Sequence, residues 1–376
     1  MLRAVPAGRP GRTRASAAVH SRRVEHAFGR AAPFAIGVEE ELLLVDAATL
    51  ALDHRAGELL ARMDGRVKPD LYEAEVETAS PVSRDAAQAT AALGEMRGAL
   101  REAGATPLGA GLHPDGAFGE APHVAGERYE AIAESMRGLV ARTPTCALHV
   151  HVGMPDAATA ITAFNGLRAF LPLLQGLAAH SPFWHGRDSG FASARAQLFR
   201  GFPRAVIPPA FEDWSAYEAY AEDWLRAGDA ADYTYLWWDL RPHPRLGTVE
   251  LRAMDAQSRL GAVCGLAALV HGLALACVHG EAPPSPAGPA LVETSFRAGR
   301  DGLGATIWWR DSLRPLREVA EEALALAGAH LEDPAPLEEV ERILREGNGA
   351  DRMRAAYAEG GMRAVLERLV AETAEP

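Results

Sequence analysis

Four short stretches of this chain place apolar and charged or imidazole side chains at alternate positions: residues 34–46 (FAIGVEEELLLVD), 71–79 (LYEAEVETA), 145–153 (TCALHVHVG) and 247–255 (GTVELRAMD). In a strand, residues i and i+2 point to the same side. Glu39 and Glu41 therefore share a face, as do Glu73, Glu75 and Glu77, then His149 and His151, then Glu250 and Arg252. Polar groups that alternate with valine, leucine and isoleucine mark half-buried strands. The economical arrangement is one sheet with helices on one face and a carboxylate-rich floor on the other. Such a floor suits divalent cations and phosphate, because hard cations take oxygen ligands and imidazole is a further metal donor.

Between these stretches, Ala-rich segments at 84–103, 128–141, 157–179, 214–227, 259–278, 312–327, 336–345 and 351–371 predict helices, with Asp85 and Asp156 as N-caps. A further strand is expected at 233–241, where Tyr235, Trp237, Asp239 and Arg241 would share a face, and a shorter one at 107–112. No glycine-rich βα turn occurs. The expected fold class is α+β, with a curved, mainly antiparallel sheet and helices on one face. The first 30 residues are Arg-rich and lack an apolar core, so they predict a disordered extension rather than a secretory signal. Residues 31–376 are expected to form a single catalytic domain, with the Pro-rich 281–289 as a loop inside it. The stretch 261–280 is apolar, but its two histidines and four glycines predict a buried core helix rather than a membrane span.

The net charge of -12 argues against nucleic acid or an anionic membrane as partner. An anionic substrate stays compatible, since Mg²⁺ can bridge carboxylates to phosphate. Cys146, Cys264 and Cys277 make no CxxC pair, which fits reduced thiols and a cytoplasmic protein.

Each candidate residue has a plain structural alternative. The run Glu39-Glu40-Glu41 could be a solvated charge cluster, but its flanks are buried types. Strand geometry projects Glu39 and Glu41 together, with Cβ atoms about 6–7 Å apart, and turns Glu40 to the opposite side. Glu77 ends its strand before Ser80-Pro81; Glu73 and Glu75 could instead line an exposed edge. His149 and His151 could be core histidines or could ligate metal or contact phosphate. Glu250 and Arg252 could form an ion pair within the sheet, or could act as metal ligand and phosphate clamp. The loop 181–193 offers Arg187 for a substrate carboxylate. Asp239 and Arg241 are further substrate-binding candidates, and Arg297 and Arg300, three apart on a helical turn, could reach phosphate.

The strings GVEEELLLVD, VETASPV, CALHVHVGMPD, SPFWHGRDSGFAS, WWDLRPHPRLGTVELRAMD and FRAGRDGL, in this order, resemble those of the bacterial carboxylate–amine ligases called glutamate–cysteine ligase type 2. The resemblance spans about residues 34–303. It implies a glutamine-synthetase-like catalytic domain, ATP and Mg²⁺, and ligation of a glutamate-like carboxylate to cysteine or another amine, with weak glutamate–cysteine ligase activity and a possible homodimer. It also implies Glu39, Glu41, Glu77, His149 and Glu250 as metal ligands, Arg252 and Glu77 as catalytic groups, and His151, Arg297 and Arg300 at the nucleotide. Thr294 and Ser295 depart from the family's Asn-Arg. Competing functions are a metal-dependent hydrolase and a non-catalytic nucleotide-binding relative.

Overall fold

The computed structural model describes residues 26–63, 65 and 67–375. Residues 1–25, most of the expected extension, lie outside the described residues. Residues 26–30 pack on the body: Ala27 N–H donates to Pro244 O (2.8 Å) and Gly29 N–H to Met154 O (3.0 Å). Phe28 is buried, with its ring 5.2 Å from that of Trp214.

The strands are β1 Ile36–Leu44, β2 Val67–Pro69, β3 Glu75–Ala79, β4 Pro107–Leu108, β5 Ala147–Gly153, β6 Phe183–Trp184, β7 Arg187–Asp188, β8 Leu240–His243, β9 Thr248–Asp255, β10 Thr306–Trp309 and β11 Ser312–Pro315. The main sheet runs β2-β3-β1-β5-β9-β8, with β4 pairing the end of β1, and its neighbours are antiparallel. The pairs β6–β7 and β10–β11 are separate hairpins. The expected mainly antiparallel α+β sheet is what forms.

The helices are α1 Ala56–Leu60, α2 Ala86–Glu102, α3 Glu127–Met136, α4 Ala157–Leu167, α5 Leu171–Leu177, α6 Ala194–Phe199, α7 Trp214–Ala227, α8 Leu260–Val278, α9 Gly288–Asp301, α10 Leu316–Gly328, α11 Glu338–Glu346 and α12 Gly349–Ala374. Asp85 and Asp156 cap α2 and α4, accepting from Gln88 N–H (2.8 Å) and Thr159 N–H (2.7 Å). The sheet face made of Ile36, Val38, Leu42, Leu44, Val76, Leu148, Val150, Val152, Val249 and Leu251 forms one core with α2, α4, α5 and α8. Helix α8 is apolar around most of its circumference because α2, α4, α10 and α11 surround it. Gly272 lets α10 approach: a Cβ there would lie 2.6 Å from Ala327 O. The helical stretches 157–177 and 260–278 are both long and apolar enough to cross a membrane, and both are mostly buried in this core.

Glu40 points to the helix face, as the alternation requires, and is fully buried there. Arg97 of α2 meets it with Nη2–Oε2 at 2.6 Å and Nε–Oε1 at 2.9 Å. The same guanidinium donates to Ser258 O (2.6 Å) and Gln257 O (2.8 Å), ahead of α8. One buried fork thus ties β1, α2 and the β9–α8 turn together.

Local structure departs from the sequence reading at several points, four of which have a plain local cause. Asp232 Oδ1 accepts from Thr234 N–H (2.8 Å), so 233–235 closes as a 3₁₀ turn and β8 starts only at Leu240. The strand expected from residue 71 begins at Glu75, because Tyr72 bridges His123 instead. The helix expected from 312 begins at Leu316, since Ser312–Pro315 pairs with β10. Helix α12 breaks at Gly360-Gly361, where Gly361 takes a φ of +67°.

Removing one partner of the Glu40–Arg97 pair strands a buried charge, which costs about 3–5 kcal/mol. Arg97→Ala is expected to lose that much in urea unfolding at unchanged m-value. Joint replacement of Glu40 and Arg97 by Met should recover much of it.

Candidate active site

The second sheet face carries the polar alternates in register. Glu41 stands opposite Glu77, Glu39 opposite His149, His151 opposite Glu250, and Glu250 opposite Arg241. Directly paired residues point the same way, so acids, imidazoles and a guanidinium from five strands form one floor. A bulge between β5 and β9 shifts the register: Leu148 pairs Met254 but Val150 pairs Leu251. Ala253 and Met254 both turn into the core, and Asp255 lands on the floor side beside Arg252. There Asp255 accepts from Ser181 Oγ (2.7 Å), Ser193 Oγ (2.8 Å) and His180 N–H (2.8 Å). Those bonds anchor the 181–193 loop and start α6, which carries Arg195.

The floor opens into a cleft of about 370 Å³. Its acidic lining is Glu39, Glu41, Asp70, Glu75 and Glu77; its cationic lining is Lys68, Arg128, Arg195, Arg241 and Arg252. Glu250 lies beneath, bound by Arg241 (Nε–Oε2 2.5 Å, Nη2–Oε1 3.2 Å) and by Arg252. Burial raises the proton affinity of Glu250, but the two guanidiniums outweigh it and hold the carboxyl well below its usual range.

His149 sits between acids, with Nδ1 3.5 Å from Glu39 and Nε2 3.6 Å from Glu41. Burial, reinforced by Arg252, pushes its pKa down to about 4, so the imidazole is neutral at pH 7 and has a lone pair to offer. His151 bonds Thr248 Oγ1 through Nδ1 (2.9 Å) and faces Glu39 through Nε2 (3.5 Å). Burial lowers its pKa, but Glu39 and Glu250 more than compensate and leave it raised. Glu39 shows the mirror effect: burial raises it, and the two histidines bring it well below the usual carboxylate range.

For the remaining acids the nearby cations do not offset burial. Burial pushes Glu41 up to about 8, with Asp70 adding repulsion. Burial and neighbouring acids likewise raise Glu75 and Glu77 well above the normal range, and burial raises Asp70. Among the described residues, no guanidinium or ammonium forms an ion pair with Glu41, Asp70, Glu75 or Glu77. Glu75 instead accepts from Cys146 Sγ (2.9 Å), and Glu41 from Ala147 N–H (2.6 Å). The buried Nε2 atoms of His149 and His151 also lack hydrogen-bond partners. Crowded, unneutralised acids beside unpartnered imidazole nitrogens fit a divalent cation. Three groups can each offer three ligand atoms within 4.8 Å of one another: Glu39–Glu77–His149 and Glu39–His151–Glu250, which share Glu39, and Glu41–Asp70–Glu75.

Of the residues named from sequence, Glu39, Glu41, Glu77, His149, His151, Glu250, Arg241 and Arg252 come together here. Arg187, Asp239, Arg297 and Arg300 lie away from it. Arg187 is exposed on the β6–β7 hairpin, because the loop is folded inward by its two serines rather than by its arginine. Asp239 precedes β8 and is bound by Arg200. Arg297 bonds Thr306 O (3.1 Å), and exposed Arg300 pairs with Asp301 at 2.8 Å. The neighbouring Thr294 and Ser295 serve packing: Thr294 Oγ1 accepts from Trp308 N–H (2.7 Å), and Ser295 Oγ donates to Gln175 (2.6 Å). Glu73 also stays out of the cleft lining, since β3 begins after it.

Sequence reasoning missed Asp70, Arg195, Lys68 and Arg128. Asp70 and Arg195 lie in no alternating run, so only the fold brings them in. Arg195 is nine-tenths buried with its Nε unpartnered, and its Nη1 lies 3.7 Å from Asp255.

A family model described as glutamate–cysteine ligase family 2 matches residues 35–372. A Rubrobacter xylanophilus relative named "Putative glutamate--cysteine ligase 2-3" is 38% identical over 367 residues, covering 93% of this chain and all of that one. A Sorangium cellulosum relative named "Putative glutamate--cysteine ligase 2" is 34% identical, covering 90% and 96%. The fold is shared with a crystal structure of glutamate–cysteine ligase from Francisella tularensis in complex with AMP: TM-score 0.68 at 14% identity, covering 92% and 90%.

Titrating Mg²⁺ into the protein is expected to raise its melting temperature, since a cation bound only by the folded state stabilises it by mass action. Glu39→Gln, which removes a ligand shared by two of the three groups, should shrink that shift. An unchanged shift in the variant would refute the ligand role.

Proposed function

The chain belongs to glutamate–cysteine ligase family 2, and we propose that it joins a glutamate-like acid to a small amine through an acyl phosphate. Membership makes it an ATP-dependent ligase that forms C–N bonds. The observation that carries the finer reading is the conjunction in one cleft of unneutralised acids, neutral His149 and the guanidinium of Arg252. The Francisella glutamate–cysteine ligase of the same fold is in complex with AMP, which supports an adenine nucleotide as ligand.

Glu39, Glu41, Glu77, His149 and Glu250, joined by Asp70 and Glu75, would hold Mg²⁺, which when bound neutralises phosphate charge. A carboxylate oxygen of the acid attacks the γ-phosphorus of ATP, the bond to the bridging oxygen breaks, and ADP leaves. The amine nitrogen then adds to the acyl carbon and phosphate departs. Positioning and charge neutralisation dominate such transfers. Glu250 fixes Arg252 from below, so its remaining donors face the cleft toward the phosphoryl oxygens. Arg241 spends its donors on Glu250, Thr234 O and Leu236 O, which makes it a positioning residue. Arg195 takes the role of holding the acid's carboxylate, since it is buried at the cleft with donors to spare. Trp237, Phe199 and Phe202 wall the cleft and limit hydrolysis of the acyl phosphate.

ADP release in the presence of Mg-ATP is expected to require both acid and amine. ADP formed with neither would return the metal-dependent hydrolase reading, and nucleotide binding without ADP the non-catalytic one. Arg252→Ala should lower kcat by roughly 10³-fold. Arg195→Ala should mainly raise KM for the acid, whereas Arg187→Ala and Arg300→Ala should stay within about twofold of the parent.

A further inference from the structure

The acids of the cleft are sorted along β3. Glu77 groups with Glu39 and His149, with ligand atoms within 4.8 Å of one another. Glu75 sits two residues back, about 6–7 Å along the strand, and stands opposite Leu43 rather than opposite another acid. It is 1% exposed, yet it lines the cleft. Its Oε1 accepts from Cys146 Sγ (2.9 Å), and no hydrogen bond to its Oε2 is found among the described residues.

Arg195 approaches from α6. It is 4% exposed, lines the same cleft, and its buried Nε has no partner. Its guanidinium lies 5.4 Å over the Phe199 ring, and its contact with Asp255 is a long 3.7 Å. The charge of Arg195 favours the ionised forms of Glu41 and Glu75. No ion pair joins Arg195 to either acid among the described residues. A buried guanidinium and a buried carboxylate thus face one space with a gap between them.

A metal ion and an ammonium are both candidates for Glu75. Mg²⁺ there would stand beside a guanidinium and a thiol, a like charge and a soft donor, whereas it favours hard oxygen ligands. The head group of an α-amino acid carries both charges. It brings an anion for Arg195 and a cation for Glu75 together. Its distal carboxyl can then extend along β3 toward Glu77 and the groups around Glu39.

Resting on the ligase reading above, we propose that Glu75 is a specificity-determining residue: it binds the α-ammonium of the acid substrate, whose α-carboxylate Arg195 holds, and so selects an α-amino dicarboxylate over the plain dicarboxylate. The plain diacid leaves Glu75 buried without a counter-charge. A site built around an N–H donor discriminates strongly against the analogue that lacks it.

The test supplies the full-length protein with Mg-ATP and hydroxylamine, and compares acids that differ only in the amino group: glutamate against glutarate, and aspartate against succinate. Hydroxamate formation gives kcat/KM for each. In the pair that turns over, the amino form should exceed the plain diacid by at least about tenfold. Glu75→Gln should bring that ratio close to unity without raising the Mg²⁺ concentration that gives half the maximal rate. A smaller ratio in the unaltered protein overturns the proposal and leaves the ligase reading standing, and this comparison needs no variant to fold. Equal losses for both acids in Glu75→Gln, with a raised Mg²⁺ requirement, assign Glu75 to the metal and also overturn it. Absence of hydroxamate with all of these acids removes the ligase reading and the proposal with it.

Discussion

Taking a carboxylate out of water costs several kcal/mol unless a counter-charge or a set of donors meets it, and this sheet does so repeatedly on both faces. The fold answers the cost in two different ways. Glu40 is met by Arg97, Glu250 by Arg241 and Arg252, and Asp255 by two serine hydroxyls and a backbone N–H. Each of these acids ties a strand to a helix, a neighbouring strand or a loop. Glu41 and Glu75 are buried and Asp70 and Glu77 half-buried close by, and desolvation drives each above the usual carboxylate range. Among the described residues none of these four pairs with a guanidinium or ammonium, and the cation proposed above would supply that charge.

Antiparallel pairing turns this division into geometry. Residues opposite one another share a face, so carboxylates, imidazoles and the Arg241 guanidinium build a row across β3, β1, β5, β9 and β8. The bulge on β9 adds a second layer by bringing Asp255 to the floor side, where it recruits the 181–193 loop and sets Arg195 at the cleft. The helices behind the sheet hold its register, since a slip by one residue would exchange the acids with Val38, Leu42 and Val150. Fold stability and site geometry are therefore one problem: the apolar face decides which way every acid points.

Much of the site was legible because its residues repeat with period two. Glu39, Glu41, Glu77, His149, Glu250 and Arg252 all project as the alternation requires, and the fate of Glu40 on the opposite face follows from the same rule. Arg187, Asp239, Arg297 and Arg300 were chosen for charge and proximity to glycine or aromatic residues, without a periodic pattern behind them. Each finds a local partner or solvent instead. The strand expected over 233–241 failed for a local reason as well: an aspartate that bonds the backbone two residues ahead favours a turn over a ladder.

By itself, the order of residues determined which face of each strand is wet, which helices are capped, and that helix α8 is buried, because these depend on neighbours within a few positions. Only the tertiary structure decided that Asp70 and Arg195 join the cleft, that Asp255 crosses to the floor, and which acids keep a counter-charge. Those outcomes rest on strand register, a single bulge and contacts between segments tens of residues apart. No local pattern encodes the distance between two such segments; it is set when the apolar faces find one another and the charged groups settle with whatever lies opposite.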